Sequence, residues 1–165
     1  MSAKEKIVPV KPLMLVGEVD PDMTLKVMNY LSYIKTNPTD IIQVILSTDG
    51  GSVADALGIY DMLLMQDLDV HITCVGQCMS AGTIILGAGD FRSATYNTQF
   101  LVHYGNAGSD SEDTAKHNKE VHDQTKRIMV DYTGNSMRTV TKWHKQQKYF
   151  MAIDAIDLGF IHEIE

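Results

Sequence analysis

The run from Ile41 to Leu46 constrains the fold of this chain most, because five of its six side chains are apolar. A strand that is apolar on both faces needs cover on both faces, as in parallel sheets joined by crossover helices. Turn residues follow it at Ser47 to Gly51, and Val53 to Leu64 then place apolar side chains at helical spacing. The pattern predicts an α/β fold built from repeated strand and helix units.

A similar unit precedes this run. Lys11 to Gly17 is a short apolar segment closed by glycine and predicts a strand. Asp20 then begins a helix-start pattern, and the apolar residues from Val27 to Ile34 recur at helical spacing until Asn37-Pro38 ends the helix. We therefore expect a βαβ unit that closes with the Ile41 strand.

The chain beyond residue 69 repeats the alternation. Val70 to Val75 is rich in β-branched residues and predicts a strand, and Thr83 to Leu86 continues as an apolar helix. Arg92 to Tyr96 and Gln99 to Val102 predict two more short strands. The sequence therefore favours strand and helix units up to about residue 102.

The last third of the chain is more polar. Ser109 and Glu112 have the spacing of a capping box, and Asp113 to Tyr132 predicts a long, mostly charged helix with a narrow apolar seam. Ala152 to Leu158 predicts a short helix, and Phe160 to Ile164 predicts a terminal strand. A seam this narrow favours packing of the long helix against a second copy of itself.

Length and composition favour one soluble domain. The 165 residues are 44% hydrophobic, which predicts a single domain over residues 1–165, with residues 1–11 as a flexible N-terminal tail. A net charge of −7 without a basic cluster argues against nucleic acid as a partner. No apolar run reaches the length that spans a membrane, and Cys74 and Cys78 match no zinc or redox spacing. We expect a cytoplasmic protein with two reduced, packed thiols and no membrane partner.

Ser80 lies where the strand ending at Val75 gives way to the next helix. A serine in this position often caps the helix that follows, because its hydroxyl accepts an N–H at the helix start. The alternative is a nucleophile at a sharp strand-to-helix turn, although the surrounding residues are not the strict Gly-x-Ser-x-Gly signature. The local sequence leaves both interpretations open.

Two glycines and three histidines bear on this choice. Gly50-Gly51 is a plain tight turn, a phosphate cradle or one half of an oxyanion hole, and the missing phosphate-binding signature weakens the second option. His103 ends a predicted strand and is either a packed histidine or a general base. His117 and His122 are five residues apart on a helix, so we expect them on different faces and in solvent. We predict neither a metal nor another cofactor.

Taken together, these motifs resemble the proteolytic-subunit (ClpP) family of Clp proteases. Gly76 to Thr83 matches in frame the family's Gly-Gln-Ala-Ala-Ser-Met-Gly-Ala, with Ser80 on the nucleophile. The family's Asn-Ser-Pro-Gly-Gly, Ile-Tyr-Asp and Met-Ile-His correspond to Ser47-Thr-Asp-Gly-Gly51, Ile59-Tyr-Asp61 and Leu101-Val-His103. The resemblance covers most of the chain.

The resemblance implies a ClpP and crotonase-like α/β fold with a protruding handle helix at about residues 110–132. It also implies a serine endopeptidase that cleaves unfolded polypeptides, in which Ser80 attacks the peptide carbonyl after His103 takes its proton. The N–H groups of Gly51 and Ala81 would hold the oxyanion. Heptameric rings stacked as a tetradecamer follow from the same resemblance, with an unfoldase ATPase or a related ClpP subunit as a further partner.

The third triad position departs from the family. Alignment without a gap from Thr133 places the family's catalytic aspartate at Gln147, which is neutral. Glutamine can orient the His103 ring but cannot stabilise the imidazolium, and losing that charge can cost on the order of 10⁴ in rate in a Ser-His-Asp enzyme. Two explanations stay open: Asp131 or Asp154 reaches His103, or Gln147 supports a slow dyad.

Three functions remain open at this point. Retention of Ser80 and His103 favours an active endopeptidase, whereas Gln147 favours a catalytically weak or silent structural subunit of a mixed ring. A crotonase-type acyl-coenzyme A enzyme shares the fold class but is less favoured, because the sequence offers no obvious basic cleft for coenzyme A. Gln43 stands where the family often has an aromatic residue of the unfoldase docking pocket, which argues against that partner.

Overall fold

A computed structural model describes residues 11–37, 39–105 and 111–165. Strands and helices alternate through its first half, as predicted. The strands are β1 (Leu13–Val16), β2 (Ile41–Thr48), β3 (Asp69–Met79), β4 (Phe91–Ala94), β5 (Gln99–Val102), β6 (Lys148–Met151) and β7 (Glu163–Ile164). The helices are α1 (Pro21–Thr36), α2 (Val53–Leu64), α3 (Gly82–Leu86), α4 (Glu112–Thr133), α5 (Met137–Gln146) and α6 (Ala152–Asp157). The α/β fold class is confirmed.

One sheet joins the strands, in the order β1, β2, β3, β4, β7, with all neighbours parallel. Strand β5 branches from the end of β3, and β6 pairs with β5 antiparallel. Along β2 the side chains alternate between buried and partly exposed, so the prediction of cover on both faces is wrong. Met14 and Val16 on β1 are 51% and 52% exposed, so the described residues leave one face of this strand uncovered.

Polar caps begin the helices that pack on the sheet. Asp20 accepts a hydrogen bond from Met23 N at 2.8 Å at the start of α1, and Ser52 accepts one from Asp55 N at 3.2 Å at the start of α2. Four apolar side chains of α1, spaced three or four residues apart, are buried, so the predicted helical stripe is confirmed. Pro38, which we expected to end α1, lies outside the described residues.

Strand β3 is longer than predicted because it changes partners along its length. Residues 69–74 pair with β2, and residues 77–79 pair with β5 after Gly76 takes a positive φ of 75°. A second pairing partner holds the extra residues in extended conformation, which the β-branched run alone does not reveal. Ser80 therefore follows a strand that reaches as far as β5.

The long polar helix of the last third is present as α4. The side chain of Ser111 accepts a hydrogen bond from Thr114 N at 3.1 Å and caps its start, and Gly134 ends it in the left-handed conformation. The capping box predicted at Ser109 and most of the predicted N-terminal tail lie outside the described residues. Helix α4 occupies the place predicted for the handle helix.

The C-terminal elements differ from their prediction in two places. Between α4 and α6, Met137–Gln146 forms helix α5 and Lys148–Met151 forms strand β6, neither of which was predicted. The terminal strand is only Glu163–Ile164, because the N–H groups of Phe160 and Ile161 bond to the Ala155 carbonyl instead of a neighbouring strand.

A buried arginine joins these C-terminal elements to the sheet. The Arg92 guanidinium, in a residue that is 7% exposed, donates to the carbonyl oxygens of Phe160, Gly89 and Tyr132. Charge-assisted bonds of this kind satisfy the buried cation without a carboxylate. The Trp143 ring packs against Phe160 with centroids 5.7 Å apart, as expected for a packing anchor.

Gly159 gives a test of this arrangement. Its φ is +78°, and a Cβ at this position would overlap the Thr133 carbonyl oxygen, so we expect Gly159→Ala to lower the free energy of unfolding by about 2 kcal/mol or more. Gly58 in α2 has no atom within 4 Å of a built Cβ, and Gly58→Ala should raise stability by roughly 0.5 to 1 kcal/mol. Urea unfolding measures both, and equal effects would contradict the packing described.

Candidate active site

Ser80 sits at a strained turn between β3 and α3. Its φ is 52°, in the left-handed region that few residues other than glycine occupy. The predicted helix-cap role is wrong, because α3 begins after Ala81 and its first turn has no side-chain cap. Instead, the Ser80 backbone N–H bonds to the Leu101 carbonyl at 2.8 Å, which fixes the turn against β5. The hydroxyl is thereby presented toward a cleft.

Gly50 allows the β2–α2 turn to approach this serine. A Cβ at Gly50 would lie 2.7 Å from Ser80 Cβ, so only glycine permits the contact, and its φ is +112°. Gly82 packs equally closely, since a Cβ there would overlap the Thr48 side chain. These contacts bring two turns distant in sequence side by side.

Two backbone N–H groups beside Ser80 have no acceptor among the described residues. Gly51 N and Ala81 N donate no hydrogen bond to any described residue, whereas Gly50 N bonds to the Thr48 hydroxyl at 3.0 Å. Both residues line the same cleft as Ser80. Two unpaired donors in the same cleft as a serine hydroxyl are the kind of groups that stabilise an oxyanion.

His103 follows β5, and its ring reaches the serine. His103 Nε2 lies 2.9 Å from Ser80 Oγ, which is hydrogen-bond distance. Both side chains are half-buried and open to the cleft. The two predicted site residues are therefore in contact, in the geometry of a nucleophile and its base.

No described carboxylate hydrogen bonds to the His103 ring. Gln147 ends α5 in the left-handed conformation, with φ of 47°, and its exposed side chain bonds to no described residue. It directly precedes Lys148, which pairs with Val102, so residues 147 and 103 both lie one position beyond the last pair of β5 and β6. Asp131 and Asp154 are both exposed, and neither bonds to His103 in the described structure.

The cleft has a volume of about 510 Å³. No Asp or Glu of the described residues lines it. Its walls come from α2, α3, α4 and α5, and they are apolar apart from several histidines and threonines. The apolar lining includes Val53, Leu57, Ile84, Val121 and Met129. Such a cleft suits an extended apolar chain more than a charged small molecule.

A sequence model of the family described as Clp protease matches residues 2–165 of this chain. The chain belongs to the Clp protease family. The fold is also that of a solved structure of a ClpP1 mutant from Listeria monocytogenes, with a TM-score of 0.85 and 23% sequence identity. That likeness covers 93% of this chain and 90% of the other. Both the family resemblance and the fold expected from it are confirmed.

The cleft of this Clp protease family member is lined by more histidines than the sequence predicted. His117, His122 and His144 line it together with His103. His117 is exposed, as expected, whereas the expectation that His122 lies in solvent is wrong, because its ring is half-buried against Tyr104. The sequence did contain a sign of the position of His144. It follows the apolar Val140 by four residues, so the two side chains lie on the same, buried side of α5.

Burial sets the protonation of these rings. The pKa of His144 is lowered mainly by burial and further by the charges of Lys126, His122 and His103, while its bond to the Val140 carbonyl opposes the shift. The pKa of His122 is lowered by burial and by Lys126. Both imidazoles are therefore neutral at pH 7.

The two cysteines of this Clp protease family member lie beneath the serine turn. Cys74 and Cys78 are both buried and unbridged, as expected. Burial raises the pKa of the Cys78 thiol, with the nearby Cys74 adding to the effect. Neither thiol has a part in the chemistry considered for the cleft. Among the described residues, no group of three His, Cys, Asp or Glu side chains could hold a metal ion, and no helix could span a membrane.

The lowered pKa of His144 predicts a pH-dependent stability. The unfolded chain takes up a proton at His144 near its ordinary pKa of about 6.5, whereas the folded ring resists it. The contribution is therefore fully present above about pH 6.5 and is lost as pH falls toward the lower folded pKa. We expect the urea midpoint to fall less between about pH 7.5 and 5.5 in His144→Asn than in the unmodified protein. Identical losses would contradict this assignment.

Proposed function

We propose that this chain is a serine endopeptidase subunit of a self-compartmentalised Clp-type protease, which cleaves unfolded polypeptides or peptides. The observation that carries the proposal is the 2.9 Å contact between Ser80 Oγ and His103 Nε2. Membership of the Clp protease family supplies the reaction class. No cofactor enters the proposed reaction.

The proposed reaction begins at the serine hydroxyl. His103 Nε2 accepts the Ser80 proton as Oγ forms a bond to the peptide carbonyl carbon. The tetrahedral intermediate then collapses, the C–N bond breaks, and the leaving amine takes the proton from His103. Water repeats the same steps on the acyl-enzyme, which releases the carboxylate product and restores Ser80.

Two donors are available for the negative charge that develops on the carbonyl oxygen. The N–H groups of Gly51 and Ala81 line the cleft on either side of Ser80 and have no described acceptor. One preorganised donor of this kind is typically worth roughly 3 kcal/mol in the transition state. We assign the oxyanion hole to these two groups.

We further propose that the chain assembles into heptameric rings that stack as a tetradecamer through α4. The first two turns of this helix are mostly exposed, and its buried residues in the described chain are confined to Thr125, Ile128 and Met129. A long helix with so little buried surface needs a partner for its outer part. An unfoldase ATPase or a related ClpP subunit completes the proposed assembly. Gln43 argues against the ATPase, because it has an exposed amide at the position where an aromatic residue would contact that partner.

A second function is a catalytically weak or silent subunit of a mixed ring. The specific observation in its favour is the absence of any described carboxylate bonded to His103, together with the exposed Gln147. Without a charge partner, the imidazolium that forms during attack is less stabilised. Peptidase turnover by the purified, assembled protein alone separates this function from the first.

Replacement of the proposed nucleophile is the direct test. Ser80→Ala removes the attacking oxygen, so we expect no labelling by a fluorophosphonate and no hydrolysis of a short fluorogenic peptide. Ser32 lies exposed on α1, and Ser32→Ala serves as the matched control with unchanged labelling. Light scattering should first confirm that each variant assembles alike. Persistent labelling of Ser80→Ala would show that another residue is the nucleophile.

A carboxylate at position 147 should increase turnover. Residues 147 and 103 both lie one position beyond the last pair of β5 and β6, and aspartate tolerates the left-handed backbone at 147, so Gln147→Asp can supply the missing charge. We expect peptide hydrolysis to rise roughly 10-fold or more. Gln146→Asp adds the same charge at the neighbouring exposed position and should have little effect. Equal rates in Gln147→Asp and the unmodified protein would mean that charge at this position does not limit catalysis.

A further inference from the structure

His144 is a buried histidine that the proposed reaction does not use. It lies on α5, is 6% exposed, and lines the cleft together with His103. Neither the family motifs nor the sequence spacing assigned it a role. Its position raises the question of what a neutral imidazole does beside a catalytic base that lacks a carboxylate partner.

The hydrogen bonds of His144 fix its tautomer. Nδ1 lies 2.9 Å from the carbonyl oxygen of Val140, which can only accept, so Nδ1 carries the proton. Nε2 of the neutral ring is then an acceptor. No described residue donates a hydrogen bond to this nitrogen. His144 thus offers an unused acceptor in the wall of the cleft.

The ring of His103 has an N–H group that lacks an acceptor among the described residues. For Nε2 to accept the Ser80 proton it must be unprotonated, so the neutral ring carries its proton on Nδ1. That N–H has no described acceptor, since the only described partner of the ring is the Ser80 hydroxyl. An unfixed ring can adopt the wrong tautomer, and the wrong tautomer of a catalytic histidine can cost on the order of 10⁴ in rate.

Tyr104 holds the two histidines in the same neighbourhood. It directly follows His103, and its ring centroid lies 5.1 Å from that of His144 and 5.0 Å from that of His122. The backbone of His103 is therefore attached to a residue packed on His144. Any displacement of α5 relative to β5 would disturb this contact and the position of His103 together.

We propose that His144 is the positioning residue for His103 in this chain, its Nε2 accepting a hydrogen bond from the His103 Nδ1–H in the role that a carboxylate has in a triad enzyme. The inference rests on the proposed function. The two rings make no direct hydrogen bond in the described structure, and the proposed link is formed by one bridging water or after a small rotation of His103. A neutral acceptor fixes the tautomer of His103 but adds no charge to stabilise its imidazolium.

Two substitutions separate this role from a purely structural one. His144→Asn keeps an amide near the Nδ1 position, where it can bond to the Val140 carbonyl, but removes the group at Nε2. His144→Gln places its amide near the Nε2 position and gives up the bond to Val140. If His144 has only a structural role, the Asn variant should react at Ser80 faster than the Gln variant. If His144 positions His103, the Gln variant should react faster. His71→Asn, on the half-buried far part of β3, is the matched control.

The first measurement is the rate at which a fluorophosphonate labels Ser80. We expect His144→Asn to label roughly 10-fold or more slowly than the unmodified protein, with His144→Gln in between and His71→Asn unchanged. Thermal unfolding of each variant shows whether the fold is kept. Faster labelling of the Asn variant than of the Gln variant would overturn the proposal.

The second measurement does not depend on activity or on folding of a variant. Nitrogen-15 NMR of the histidine rings in the unmodified, assembled protein reports which nitrogen of His103 is protonated. The proposal requires His103 to be protonated on Nδ1, and a mixture of the two tautomers would overturn it. A failure of the proposed function would give a different result from a failure of the positioning role. Ser80 would then resist labelling, while His103 would still show the Nδ1 tautomer.

Discussion

The contact between Gly50 and Ser80 is the constraint on which the rest of this site depends. Ser80 can face the cleft only in a left-handed turn, and that turn is held by its own N–H bond to β5 and by a neighbour without a side chain. A residue with φ of 52° costs free energy that the surrounding packing must offset. The buried helix α3 and the paired end of β3 provide that packing, so they hold Ser80 in its left-handed conformation.

The same contact explains why two donors beside Ser80 stay unpaired. Bringing the β2–α2 turn against the serine turn leaves Gly51 N and Ala81 N facing the cleft, where no described backbone acceptor reaches them. Sheet and helix ladders satisfy most buried backbone groups, so an unpaired N–H at the buried Ala81 is unusual, whereas water can accept from the exposed Gly51 until a ligand replaces it. Fold and proposed chemistry are therefore linked through a single close approach.

The base is positioned by elements from the other end of the chain. Strand β6 pairs with β5, and α5, whose buried side carries Val140, Trp143 and His144, contacts α4 and β6. Arg92 and the aromatic cluster around Phe160 fasten this C-terminal part to the sheet. The cleft in a chain of net charge −7 is lined by histidines and mostly apolar side chains, and no Asp or Glu of the described residues lines it. Its electrostatics thus differ from those of the surface.

The sequence alone determined the α/β class and the first strand and helix units, because apolar periodicity and turn chemistry are local, whereas the expectation that Ser80, Gly51 and His103 share one site came from the family resemblance. The sequence did not determine the length of β3, the extent of β7 or the presence of α5, since strand pairing and helix packing decide these. The roles of Gln147 and His144 depend on which side of α5 faces the cleft. Only the tertiary structure decides that, because the register of β6 against β5 and the packing of α5 bring residues about forty positions apart into one cleft.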